Sequence, residues 1–171
     1  MTAAKPAVLY RPARLADVPA ITTLINEFAA ERIMLPKTLE SVALSIDDFI
    51  VATDRHAHVL GCAAVKEYSP SLAEVASVAV VRPAHGLGIG TELVQRIEDL
   101  ASRRGVSDLI AFTVSPAFFE GLGYSVRDPA LFPEKASRDC AICPRRTCCN
   151  EICVYRPLDQ LAGAARVQAA A

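Results

Sequence analysis

No stretch of this 171-residue chain approaches the ~20 consecutive apolar residues that a bilayer-spanning helix needs. Its opening, MTAAKPAVLYRPAR, has no apolar h-region, so no secretory signal is expected there. Neither sign of charge dominates: 18 Lys plus Arg face 19 Asp plus Glu. That balance argues against nucleic acid or an anionic membrane surface as partner. Six cysteines are few for a secreted disulfide scaffold of this length, and the chain reads as cytosolic. Neither an internal repeat nor a linker divides it. One domain is expected over 1–157, with an alanine-rich tail, 158–171, expected to be disordered.

What is present is an ordinary globular balance, 52% hydrophobic and 22% charged, in a chain long enough to bury a core. VLYRPA reads as an opening strand. LADVPAITTLINEFAAERI reads as a helix with Asp17 as N-cap, Pro19 in its first turn, and Ile21, Leu24, Ile25 and Phe28 on one face. Thr38, with Ser41 three positions on, caps a shorter helix after the Pro36 break. DFIVAT and AHVLGCAAVKEY read as strands around a polar turn. AEVASVAVV and DLIAFTV have the β-branched, apolar character of central strands. A helix from Thr91 to about Arg104, a short helix in PAFFEGL, a strand in GYSVRD and a last strand in NEICVYRPL complete the pattern, with 129–150 irregular. The fold class is α/β (α+β): a mixed sheet with helices on both sides.

Three glycines, Gly86, Gly88 and Gly90, fall between a strand and a helix. A phosphate-binding P-loop is excluded because no lysine follows Gly90, and the dinucleotide fingerprint because the third glycine comes one residue early. What remains is a bare loop feeding a helix N-terminus, where free N–H groups and the helix dipole favour an anion. A tight packing turn is the alternative.

EVASVAVVRPAHGLGIGTELVQRIE resembles motif A of the GNAT superfamily of acyl-CoA-dependent N-acetyltransferases, whose pyrophosphate loop reads (Q/R)-x-x-G-x-(G/A). His85 stands where that family has Arg or Gln. FFEGLGY, residues 118–124, is similar to the family's downstream FYEKLGF. With YRPARLADVPAI, the resemblance covers residues 10 to about 127. It implies a splayed sheet in which strand 74–81 parts from 108–114, and acetyl-CoA as cosubstrate. Pantetheine would pair with the backbone of Val78, Ala79 and Val80, and pyrophosphate with the amides of His85, Gly86, Leu87, Gly88, Ile89, Gly90 and Thr91. It also implies an oxyanion donor at the Val78 N–H and a homodimer.

Acetyl transfer to an amine needs a base, because an amino-acid ammonium is mostly protonated at neutral pH. Glu74, in the apolar strand four residues before Val78, is the candidate; a structural carboxylate is the alternative. The tyrosine by which many relatives protonate the leaving thiolate is replaced by Phe119. Tyr124 reads as core packing, and Tyr68 is a more remote acid.

Within the superfamily the bacterial amino-acid N-acetyltransferases of the N-acetylglutamate synthase type are most similar, through LINEFAAERIMLPKTLESV, VLGCAAV and FPEKASRDCAICPRRTCCNEICVYRPL. That likeness implies a small-molecule amine acceptor, L-glutamate first. Its carboxylates would need cationic clamps, from Lys37 with Thr38 and from Lys66 or Arg82. Ala76 and Lys66-Glu67-Tyr68 depart from that branch's H-x-Y-x-x-L-A-E-I-R. Other acceptors, small or protein amines, and a non-catalytic acyl-CoA and redox sensor are the competing functions. Finally, Cys140, Cys143, Cys149 and Cys153 have the count of a four-thiolate structural zinc site, against a redox-labile disulfide or reduced structural thiols.

Overall fold

The computed structural model of the protein describes residues 7–158, so all but one residue of the alanine-rich tail lies outside it. The described residues form two compact units, 7–65 with Ala76–Ile97, and Lys66–Val75 with 98–158.

In the first unit, β1 (Leu9–Pro12) pairs antiparallel with β2 (Phe49–Thr53), and β2 antiparallel with β3 (Val59–Glu67), which continues into the second unit. Helix α1 (Val18–Ala30) buries Ile21, Leu24, Ile25 and Phe28, the stripe its sequence spells out. These side chains join Val42 of α2 (Leu39–Leu44), Phe49 and Val51 of β2, and Cys62 and Ala64 of β3 in one core. Each large side chain so buried contributes about 1.5–3 kcal/mol of transfer free energy. Gly61 in β3 is required by contact: a Cβ there would stand 3.0 Å from the Ala79 carbonyl oxygen and 3.1 Å from Leu93.

Asp17 does not cap α1 with its side chain. A 3-10 turn, Leu15–Asp17, precedes the helix, and the Asp17 carboxylate accepts from the Arg14 N–H at 2.8 Å and from the Arg11 guanidinium at 2.7 and 2.9 Å. Thr38 caps α2 as its sequence predicts, its hydroxyl accepting from the Ser41 N–H at 3.1 Å while the Ser41 hydroxyl accepts from the Thr38 N–H.

Strand β4 (Leu72–Val80) begins in the second unit and ends in the first, and helix α3 (Ile89–Arg103) runs the other way. In the second unit β4 pairs parallel with β5 (Asp108–Thr113) over only Leu72–Glu74 and Asp108–Ile110. The other edge of β5 pairs over its whole length with the antiparallel β7 (Ile152–Pro157), which also carries the two-residue β6 (Ser125–Val126). The hydrogen-bonded order is β1-β2-β3-β4-β5-β7-β6, a seven-stranded mixed sheet flanked by helices. The segment 129–150 is more regular than its sequence suggests. After α4 (Pro116–Glu120) it holds α5 (Pro133–Arg138) and three 3-10 turns. Among the described residues no helix is long and apolar enough to cross a membrane.

Candidate active site

Strand β4 opens with four buried residues, Leu72, Ala73, Glu74 and Val75, and the carboxylate among them is only 6% exposed. A buried carboxylate persists only where partners replace its lost hydration. Glu74 Oε2 accepts from the Lys135 ammonium of α5 at 2.8 Å and lies 2.5 Å from Tyr68 Oη. The same phenol oxygen is 2.6 Å from Asp139 Oδ2, which Lys135 also reaches at 3.0 Å. Lys66 holds both Asp139 oxygens, at 2.7 and 2.6 Å. Two ammoniums thus balance two carboxylates around one phenol.

Burial, followed by the Glu74 charge, pushes the Tyr68 phenol well above its ordinary value, so it stays protonated. For Asp139, burial acts against ionisation, but hydrogen bonds from Lys66, Tyr68 and Lys135 prevail and bring it down to about 2. Burial likewise opposes the Lys135 ammonium, and the charges and hydrogen bonds of Glu74 and Asp139 overcome it and raise its pKa. The aromatic faces of Phe112 and Tyr68, 5.0 and 5.7 Å from Lys135 Nζ, add to its hold.

In the first unit, the later residues of β4 carry an irregularity at Ser77, whose φ of +54° puts a non-glycine residue in the left-handed region. Such a residue turns the strand locally, so the backbone groups of Val78 do not continue a flat ladder. The Ser77 carbonyl accepts from the buried Cys62 thiol at 3.5 Å, and burial pushes that thiol up to about 12. Beyond Val80 a 3-10 turn, Arg82–Ala84, leads to the glycine loop. His85 is exposed, yet its side chain is engaged. Its ring stacks on Phe28 with centroids 6.3 Å apart, and its Nε2 lies 2.8 Å from the Val80 carbonyl. A carbonyl only accepts, so Nε2 carries the proton. Arg82 lies over the other partner of that stack, 5.4 Å from the Phe28 ring, and pairs with Glu31.

Gly86 and Gly88 have φ of +77° and +80°, which a side chain tolerates poorly, and a Cβ on either would meet nothing within 4 Å. Conformation, not crowding, therefore requires both glycines. Helix α3 starts at Ile89, and the first four N–H groups of any helix lack an intrahelical acceptor. The segment Gly86–Thr91 thus joins two left-handed glycines to the donor-rich first turn of a helix.

Lys37 and Thr38 lie in the connection between α1 and α2. Asn26, which the sequence did not single out, clamps the backbone there, donating to the Lys37 carbonyl and accepting from its N–H, both at 2.9 Å. Thr38 is engaged as the cap of α2. Lys66 is paired with Asp139. Lys135 and Asp139 are hard to read from the sequence because 129–150 carries no long periodic run. Their signal is short: Pro133 at a first helical position, Glu134 in the first turn, Arg138 in the last, and Lys135 and Asp139 four apart.

The proposed four-thiolate quartet is not assembled. All six cysteines are free thiols, and among the described residues no group of three or more His, Cys, Asp or Glu is placed to hold a metal ion. Cys153 is buried in β7, where burial and then the Glu74 charge push its thiol up to about 11, whereas Cys149 is exposed. Phe119 and Tyr124 are both buried and meet edge to face, 5.2 Å apart, as core packing.

The described acetyltransferase (GNAT) family matches residues 22–124, more than half of the chain. An uncharacterized N-acetyltransferase of Chlorobaculum tepidum, CT2212, is 39% identical over 148 residues, covering 86% of this chain and 95% of that protein. The amino-acid acetyltransferase of Mycobacterium tuberculosis is 32% identical over 119 residues, covering 68% of each. Among solved structures, N-acetylglutamate synthase of Neisseria gonorrhoeae, complexed with coenzyme A and N-acetyl-glutamate, superposes with a TM-score of 0.81 at 27% identity. That match covers 92% of this chain but only 36% of the synthase. The chain belongs to the GNAT acetyltransferase family and is an acyltransferase.

Proposed function

We propose that the protein transfers the acetyl group of acetyl-CoA to the α-amino group of a small amino acid, L-glutamate being the first acceptor to test. The observation that carries this reading is the buried Glu74 carboxylate on β4, three residues before the left-handed Ser77 and four before Val78. In this reading the amides from His85 to Thr91 hold the pyrophosphate, and the backbone of Val78, Ala79 and Val80 pairs with pantetheine. The Val78 N–H donates to the acetyl oxygen as it becomes an oxyanion. Glu74 takes the amine proton, directly or through a water. With Phe119 in place of a tyrosine, the coenzyme A thiolate takes its proton from water. Lys37 and Thr38 are the proposed contacts to an acceptor carboxylate, Lys66 being engaged by Asp139. Glutamate is favoured by the amino-acid acetyltransferase and N-acetylglutamate synthase likenesses.

The test is incubation with acetyl-CoA and a panel of amines: L-glutamate, L-glutamine, L-aspartate, L-lysine, spermidine and a lysine-containing peptide. Mass spectrometry then identifies the acetylated product; a thiol dye would respond to the protein's own cysteines. N-acetylglutamate as dominant product supports the reading. Another dominant product replaces the acceptor and keeps the chemistry. Acetyl-CoA binding without any product refutes transfer and favours the sensor. Glu74→Gln is expected to bind acetyl-CoA as the parent does while slowing transfer about 10²-fold or more.

A further inference from the structure

A base buried as deeply as Glu74, its side chain 8% exposed, must pass its proton on before the next turnover. Acetyl transfer from the thioester to an ammonium breaks the C–S bond, forms the N–C amide bond, leaves one proton on the coenzyme A thiol and releases one. Tyr68 Oη bridges Glu74 Oε2 and Asp139 Oδ2 at 2.5 and 2.6 Å, yet a phenol has one hydrogen to give. Both contacts are hydrogen bonds at once only when a second proton lies between these oxygens. A chain of three oxygens within hydrogen-bond reach of one another is a path along which a proton can pass from one carboxylate to the other. Asp139, by contrast, is 22% exposed at its side chain and can exchange with water.

We propose that Glu74, Tyr68 and Asp139 form a proton relay, in which the proton on Glu74 moves to Tyr68 Oη while the Tyr68 proton moves to Asp139 and from there to solvent. Tyr68 begins and ends as a neutral phenol, and a turn of its hydroxyl resets the path. Lys135 and Lys66 serve as positioning residues, holding the two carboxylates in line on the phenol. The other charged or titratable groups facing the relay are Arg138, 5.2 Å from the Tyr68 ring, together with Glu151, Cys153 and Cys140. The relay rests on Glu74 being the base.

The experiment uses the full chain, acetyl-CoA and whichever amine of the panel gives most product, and compares Glu74→Gln, Tyr68→Phe, Asp139→Asn and Asp139→Ala. Tyr68→Phe and Asp139→Asn are expected to lower kcat about 10²-fold with KM for acetyl-CoA unchanged, and the double variant to be no slower than the worse single one. Formate, as a substitute carboxylic acid, should restore kcat to Asp139→Ala in proportion to its concentration, and should not restore Tyr68→Phe or Glu74→Gln. Loss of a merely structural contact would not be rescued by formate. If Asp139→Ala does not fold, Tyr68→Phe, which keeps every ion pair, decides by its kcat. A Glu74→Gln variant at the parent rate overturns the base reading and the relay together. An inactive Glu74→Gln beside Tyr68→Phe or Asp139→Asn at the parent kcat overturns the relay alone.

Discussion

Asp139→Asn also has a consequence for stability that needs no substrate. The folded chain lowers the Asp139 carboxyl from 3.8 to about 2 against the cost of burial, through Lys66, Tyr68 and Lys135. At about 1.4 kcal/mol per pH unit that difference is worth a little over 2 kcal/mol, and screening at its partly exposed side chain leaves about 2 kcal/mol. A carboxylate with a depressed folded-state pKa stabilises above its unfolded value and loses that contribution as pH falls through the folded one. Urea denaturation of the parent and of Asp139→Asn should therefore differ by about 2 kcal/mol between pH 5 and 7. The gap should shrink to about half at pH 3 and close below about pH 2. Circular dichroism or intrinsic tyrosine fluorescence can follow the transition. A gap that is the same at pH 7 and pH 3 would refute the electrostatic account, because a lost contact without titration has no pH dependence in that window.

Lys135→Met leaves the Glu74 carboxylate buried without its cation, and should cost about 3 kcal/mol in thermal or urea unfolding, most of it recovered by Lys135→Arg. Gly88→Ala forces a methyl group into a φ of +80° and should destabilise by about 1–2 kcal/mol. In titration calorimetry it should weaken coenzyme A binding, and unchanged affinity would detach the loop from the donor. Gly61→Ala drives a Cβ to 3.0 Å from a backbone oxygen that cannot move aside, and should cost about 1–3 kcal/mol. In timed maleimide labelling read by mass spectrometry, the exposed Cys148 and Cys149 should react first. Cys62 and Cys153, whose thiols lie up at about 12 and about 11, should react last.

What the sequence makes legible is what is written in local period or in contiguous motif. The α1 stripe, the Thr38–Ser41 box and the strand-glycine-helix passage from β4 to α3 all encode their structure within a few residues. Glu74 was legible for a related reason, since a lone carboxylate in an otherwise apolar strand cannot be indifferent to its burial. The surroundings of Glu74 are written differently. Lys135 and Asp139 lie 61 and 65 positions beyond it, on and just after a six-residue helix too short for a periodic signal. Fold topology brings them to β4, and single-chain spacing carries no trace of that meeting. The same limit produced the zinc expectation. Five cysteines between 140 and 153 satisfy a ligand count, but β7 takes Cys153 into its buried face and leaves Cys148 and Cys149 exposed. His85 is a case in which the motif and the fold concern different parts of one residue. The resemblance implies only its backbone amide for the phosphate, and the ring ties the loop back to the Val80 carbonyl. In each case a motif fixes where a backbone goes. What its side chains do depends on the neighbours the fold supplies, and at Glu74 those neighbours are an ammonium and a phenol that reaches on to a second carboxylate.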